Sequence, residues 1–155
     1  MMEKLPFFVY GTLIPYQPNY YLWKDSIVAT KKGSIQDYQL FDMGQYPMIV
    51  KSNGGTVHGM LMYIKNEDYD KITRIIDNLE GYEPENHGSS AYNREMRDIE
   101  LENDTEKAWI YVGSKEYVNQ ENIVDSGNWV NHISKKEGHK DWWKEIDTVA
   151  GLHEK

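Results

Sequence analysis

Along the first half of the chain, apolar side chains come in short runs that stop at glycine or at polar residues, the pattern of strands rather than of helices. "LPFFVY" runs into Gly11, "SIQDYQLFDM" and "PMIVKS" follow, and "GGTVHGMLMYIK" carries apolar groups on both faces, as a strand buried on both sides does. These segments read as four strands. The period then changes. In "EDYDKITRIIDNLE", Tyr69, Ile72, Ile75, Ile76 and Leu79 recur at helical spacing, Asn66 stands where an N-cap belongs with Glu67 and Asp68 in the first turn, and Gly81 stands at the C′ position. The spacing predicts a helix over Glu67–Glu80 that packs through Ile72, Ile75, Ile76 and Leu79. Past the polar loop "EPENHGSSAYN", "REMRDIEL" and "KAWIYVGS" form a predicted hairpin about "ENDTE". The segment from "EYVNQENIVDSGNW" to the end is patterned weakly. Its Trp142, Trp143 and Ile146 form an apolar cluster that docks this segment on the rest of the fold or makes a dimer contact. The partner expectation is a monomer or a weak homodimer.

Helix geometry singles out one carboxylate. With Tyr69 at zero and about 100° per residue, the apolar side chains fall at roughly 240–360°, while Asp70, Lys71, Arg74, Asp77 and Asn78 fall in the solvated arc at roughly 80–200°. Glu80 falls near 20°, on the edge of the buried face and in the last turn, where the helix dipole disfavours a negative charge. Burial and dipole both push its pKa up, which suits a general acid or base working near neutral pH. Geometry alone leaves a second reading open, in which Glu80 frays outward or pairs with Arg94 or Arg97.

Composition limits the rest. A chain of 155 residues with 39% hydrophobic content makes one domain around one core, here residues 1–155. The 12 Tyr and 5 Trp read mostly as packing groups of a β-rich fold. Seventeen basic against 25 acidic residues give a net charge of −8, with no basic run to track a phosphate backbone, so no nucleic-acid partner is expected. No apolar run approaches the roughly 20 residues of a membrane span, and "MMEKLPFFVYG" is too short and too soon acidic for a signal peptide. The expectation is no membrane partner and a cytoplasmic location. Zero cysteines fit that compartment and remove thiolate nucleophiles and ligands, so any chemistry uses oxygen or imidazole groups. His58 reads as a packed or edge histidine, and His132 and His139 lack metal-like spacing to a third ligand. Neither a metal nor another cofactor is expected.

The glycine after the first strand has a purpose in this setting. A strand ending in "YGTL" can leave the backbone N–H groups of Gly11, Thr12 and Leu13 unshared at the sheet's end, with the Thr12 hydroxyl beside them, a group that binds a carboxylate or an oxyanion. Taken alone, the tripeptide is an ordinary turn.

Taken in order, however, "YGTL" at Tyr10–Leu13, "YQLFDMGQYPMI" at Tyr38–Ile49, "VHGMLMYI" at Val57–Ile64, "DNLEGYE" at Asp77–Glu83, "YNREM" at Tyr92–Met96 and "SGNW" at Ser126–Trp129 resemble the γ-glutamylcyclotransferase-like, or AIG2-like, family. The opening with its "QPN" looks like the γ-glutamylamine cyclotransferases. The resemblance implies an α+β fold, a small mixed β-barrel with flanking helices and a cavity at one end. It also implies release of 5-oxoproline and a free amine from a γ-glutamyl amide, with Glu80 as acid/base. Tyr10, Gly11, Thr12 and Leu13 match the loop that receives the glutamyl portion, Tyr92 and Arg94 match a downstream Tyr-x-Arg, and Tyr46 and Pro47 match a pocket-wall pair. Where such proteins often continue with basic residues and a glycine, this chain has Ile14, Pro15 and Tyr16, a stiffer and bulkier loop that leaves the choice of amine open. The loop Glu83–Ala91 is a lid or an insertion. Since the substrate's own α-amine is the nucleophile, neither serine, cysteine nor metal is required. Alternatives from other classes are a non-catalytic small-molecule binding module of the same fold, and a hydrolase or biosynthetic enzyme acting on a larger γ-glutamyl acceptor.

Overall fold

The computed structural model describes residues 4–14, 17, 19–44, 46–80 and 92–134. Its elements are β1 (Phe7–Val9), β2 (Ile27–Asp42), β3 (Pro47–Ile64), α1 (Tyr69–Glu80), β4 (Tyr92–Glu100), β5 (Thr105–Gly113), β6 (Ile123–Val124) and α2 (Trp129–Ser134), with short 3₁₀ turns between them. The strands lie in the order β3-β1-β5-β4-β2-β6, and a further pairing of β3 with β2 closes the first five into a barrel, with β6 added on the β2 edge. β1 runs antiparallel to β3 and parallel to β5, so the barrel is mixed. The fold is the α+β barrel that the motif order implies. Among the described residues no helix is long and apolar enough to cross a membrane.

Alternation along the strands sorts the core into two layers. Phe8 joins Leu61, Ile110, Val57 and Ile99 in one cluster, while Phe7 and Val9 join Met62, Tyr111 and the helix residues Tyr69, Ile72, Ile76 and Leu79 in the other. A barrel of five strands has no room for a helix. The second cluster, which holds the α1 side chains, is therefore the layer between barrel and α1, and the first is the barrel interior, on which Trp129 and Ile133 of α2 also pack. Each helix side chain buried in it contributes about 1.5–3 kcal/mol of transfer free energy. Ile75 packs on this layer from its margin, half-buried.

Several boundaries differ from the sequence reading, among them the start of β2 at Ile27 rather than Ser34. "PMIVKS" and "GGTVHGMLMYIK" are one strand: β3 passes from Lys51, opposite Tyr38, to Thr56, opposite Gln36, so Ser52–Gly55 bulge against Asp37 alone. The Asp37 carboxylate fastens this bulge by accepting from the Gly54 N–H at 3.1 Å. Asn66 opens a 3₁₀ turn, Asn66–Asp68, before the α-helix begins at Tyr69, and the Ser26 hydroxyl donates to Asp68 Oδ2 at 2.8 Å. The buried arc of α1 also reaches further round than the periodicity indicates, because Asp77, assigned to the solvated side, is buried at 7% exposure. Its charge is tolerated there because Arg94 and Tyr111 reach it from the barrel. The predicted hairpin is β4 and β5, paired from Tyr92–Gly113 to Glu100–Thr105. His58 is exposed, while His132 bonds Asp42 at 2.7 Å and lies against Trp129. The loop Glu83–Ala91, His139 and the cluster of Trp142, Trp143 and Ile146 lie outside the described residues.

Gly127 seats the segment before α2 on β3. Its carbonyl accepts from the His58 N–H at 2.8 Å, its φ is +68°, and a Cβ there would stand 1.9 Å from the Thr56 carbonyl oxygen. Gly127→Ala is expected to lower stability by about 1–3 kcal/mol through strain and overlap. A thermal midpoint unchanged from wild type would show that this seating does not hold α2.

Candidate active site

β1 delivers the chain to the end of the barrel, where Tyr10, Gly11, Thr12 and Leu13 leave the sheet. Gly11 is required by close approach: Pro47, the first residue of β3, packs so near that a Cβ would lie 2.5 Å from its Cγ. The carbonyls of Gly11, Thr12 and Leu13 are engaged. Gly11 O accepts from Ile14 N at 3.1 Å, Thr12 O from Asn19 N at 2.8 Å, and Leu13 O from the indole N–H of Trp23 at 3.2 Å. Asn19, fully buried, also donates its Nδ2 to the Thr12 hydroxyl at 3.0 Å. By contrast, the N–H groups of Gly11, Thr12 and Leu13 donate to no backbone carbonyl among the described residues. One face of the loop is tied to the protein and the other holds unshared donors, the arrangement that receives an anionic oxygen.

These residues line one cavity together with Tyr46 and Pro47 on the far wall, Tyr92 from β4, Tyr111 from β5 and Glu80 from the end of α1. The cavity and the solvent at its mouth enclose about 370 Å³. It is a narrow slot walled by tyrosines. Their hydroxyls are directed by the backbone and by one carboxylate: Tyr10 donates to the Tyr111 carbonyl at 2.7 Å, Tyr92 to the Pro47 carbonyl at 2.9 Å, and Tyr111 to Asp77 Oδ1 at 2.6 Å. Burial raises all three phenols well above their ordinary range, and the Glu80 charge adds to the rise in each. They stay protonated and act as donors.

Glu80 is the one carboxyl among the described lining residues. Half-buried at the last turn of α1, it is pushed up to about 8, first by loss of solvent and then by the like charge of Asp77. The arginines of the alternative reading are engaged elsewhere. Arg94 donates to Asp77 and lies 5.5 Å over the Trp109 ring, and Arg97 donates to Tyr38 at 2.9 Å and to Glu95 at 2.5 Å. The structure thus brings Tyr10, Gly11, Thr12 and Leu13 together with Tyr46, Pro47, Glu80 and Tyr92, and sets Arg94 behind the wall, outside the cavity lining. Sequence reasoning missed two neighbours, Tyr111 and Asp77. The signal for Tyr111 was its place in "AWIYV", on the strand face opposite Ala108 and Ile110.

Comparison with known proteins gives the family and the fold. The family model described as "Gamma-glutamyl cyclotransferase, AIG2-like" matches residues 7–131. The gamma-glutamylcyclotransferase family protein ytfP of Citrobacter rodentium is 31% identical over 123 residues, 79% of this chain and 93% of that protein. The solution structure of ytfP from Escherichia coli superposes with a TM-score of 0.54 at 26% identity, covering 83% of this chain and 98% of that one. The crystal structure of YkqA from Bacillus subtilis superposes with a TM-score of 0.62 at 21% identity, covering 88% of this chain. This chain spans 44% of the length of that protein.

The position of Glu80 makes a statement about stability. Its pKa is higher folded than unfolded, so between about 4.5 and about 8 the folded state keeps a proton that the unfolded chain releases, and stability from this group falls as pH rises. Glu80→Gln, neutral throughout, is expected to match wild type in thermal midpoint near pH 4.5 and to gain on it steadily up to pH 8. A constant difference across that range would show that Glu80 titrates like an exposed glutamate.

Proposed function

This chain belongs to the gamma-glutamyl cyclotransferase, AIG2-like family, and we propose that it releases 5-oxoproline and a free amine from a γ-glutamyl amide, with Glu80 as proton carrier. The observation that carries the proposal is the pairing, in one cavity, of a carboxyl with raised proton affinity and a run of N–H donors that meet no backbone acceptor among the described residues.

The steps follow from those groups. The Glu80 carboxylate takes a proton from the substrate α-ammonium, and the freed amine attacks the γ-carbonyl carbon of the same molecule to close a five-membered ring. An anionic oxygen of the glutamyl portion sits on the N–H groups of Gly11, Thr12 and Leu13. The γ-amide C–N bond then breaks as protonated Glu80 gives its proton to the departing amine nitrogen, and the carboxylate so formed takes the second proton of the ring nitrogen and passes it on, so that a neutral lactam is left and the amine departs as its ammonium. Ring closure is intramolecular, so the protein supplies conformation and proton transfer and needs no nucleophile of its own. A base with a pKa of about 8 suits an ammonium, whereas an ordinary glutamate is too weak. This favours turnover over binding alone, since a pocket that only held the glutamyl group would gain nothing from a carboxyl that resists ionisation.

Two outcomes are expected on incubation with a panel of γ-glutamyl amides assayed for 5-oxoproline. Wild type releases it, with kcat/KM rising through about pH 8 as the carboxylate form appears, and Glu80→Gln turns over roughly 10²–10⁴-fold more slowly while remaining folded. A variant with wild-type turnover would remove Glu80 from the chemistry.

A further inference from the structure

Directly behind the cavity wall lies a charged cluster that the proposed chemistry does not use. Asp77 and Arg94 are paired with side chains only 10% and 9% exposed. Arg94 Nη1 donates to Asp77 Oδ2, and the Tyr111 hydroxyl donates to Asp77 Oδ1 at 2.6 Å. Both oxygens of the carboxylate are therefore met by donors, one of them a cation. Tyr111 in turn lines the cavity and accepts the Tyr10 hydroxyl at its carbonyl, so the cluster is joined to the site through one residue. Asp77 also stands three residues before Glu80 on α1, where side chains on one helix face lie about 5–6 Å apart at Cβ.

We infer that Asp77 is a positioning residue for the Glu80 chemistry: a fixed buried anion that acts on the proton carrier through space and on the cavity wall through Tyr111. The inference rests on the proposed role of Glu80. The described groups facing Glu80 are Asp77 on α1, Tyr10 after β1, Tyr92 on β4 and Tyr111 on β5, with Arg94 on β4 bound to Asp77. The phenols are kept neutral by burial, so Asp77 is the standing negative charge of the set. A like charge beside a carboxylate makes it hold its proton more tightly and accept one more readily. Asp77 acts on Glu80 in that sense, second to burial. A charge meant only for stability would not need to sit here, because a buried pair is often replaceable by apolar groups at no loss.

The test is a carboxyl-carbon NMR titration of Glu80 in the free protein, alongside 5-oxoproline assays across pH. Asp77→Asn removes the charge and keeps the shape. It is expected to move the Glu80 inflection, and with it the pH at which kcat rises, down by roughly one unit, and to lower the plateau of kcat above that rise a few-fold as the base weakens, with KM nearly unchanged. Should that variant fail to fold because Arg94 is left unpaired, Asp77→Asn with Arg94→Gln removes both charges and should show a downward move in the same direction but smaller, since the cation that opposed Asp77 is gone as well. An inflection unmoved in either folded variant would overturn the inference and leave the cluster a structural pair. Absence of 5-oxoproline from the wild type over the whole panel would overturn the proposed function instead, and the titration would still decide on Asp77.

Discussion

The barrel closes because β3 is a single strand with both edges occupied. It pairs with β2 from Pro47 to Ile64 and, on its other edge between Met60 and Met62, with β1. An open edge would leave a row of unpaired backbone groups. Closure does more than hide them. The first residue of β3 is Pro47, whose ring presses on Gly11 and whose carbonyl receives the Tyr92 hydroxyl, so the strand that shuts the barrel also builds the cavity wall. The bulge at Ser52–Gly55 lets one strand serve both ends, since the extra residues bend it without breaking the pairing on either side.

A second constraint is the unequal treatment of two carboxylates on one helix. Asp77 and Glu80 sit one turn apart at the end of α1. Asp77 is given a cation and a hydroxyl, while nothing among the described residues offsets the desolvation of Glu80. Their environments thus differ: one carboxylate is met by a cation and a hydroxyl, while the other is left with a raised pKa of about 8. Because the partners come from β4 and β5, this division exists only in the folded barrel.

Much of this was legible in local pattern. The strands announced themselves by alternation and the helix by its period, because one face of each must meet the core. The break placed before Gly54 was wrong for an instructive reason: a glycine pair looks the same whether it ends a strand or bulges one, and only the register with β2 separates the two cases. The start of β2 was hidden because Val28, Ala29, Thr30, Lys31 and Lys32 are exposed, so no apolar pattern marks them. Glu80 could be singled out from its place on the helix edge. Asp77 could not, since its burial depends on Arg94 and Tyr111, and a helical wheel carries no record of what packs against it.

One feature of the cavity bears on how a ligand meets the protein. Its described lining contains no lysine, arginine or histidine, and the chain as a whole carries a net charge of −8. An anionic group is therefore repelled at long range and held at contact only by neutral dipoles, chiefly the N–H groups beyond Tyr10. Dissolved salt screens the distant repulsion within about 10 Å at 0.1 M and leaves contacts of that kind nearly untouched. Ionic strength thus works in the opposite sense to its usual effect on anion sites built from arginine and lysine: it eases the encounter without loosening the grip.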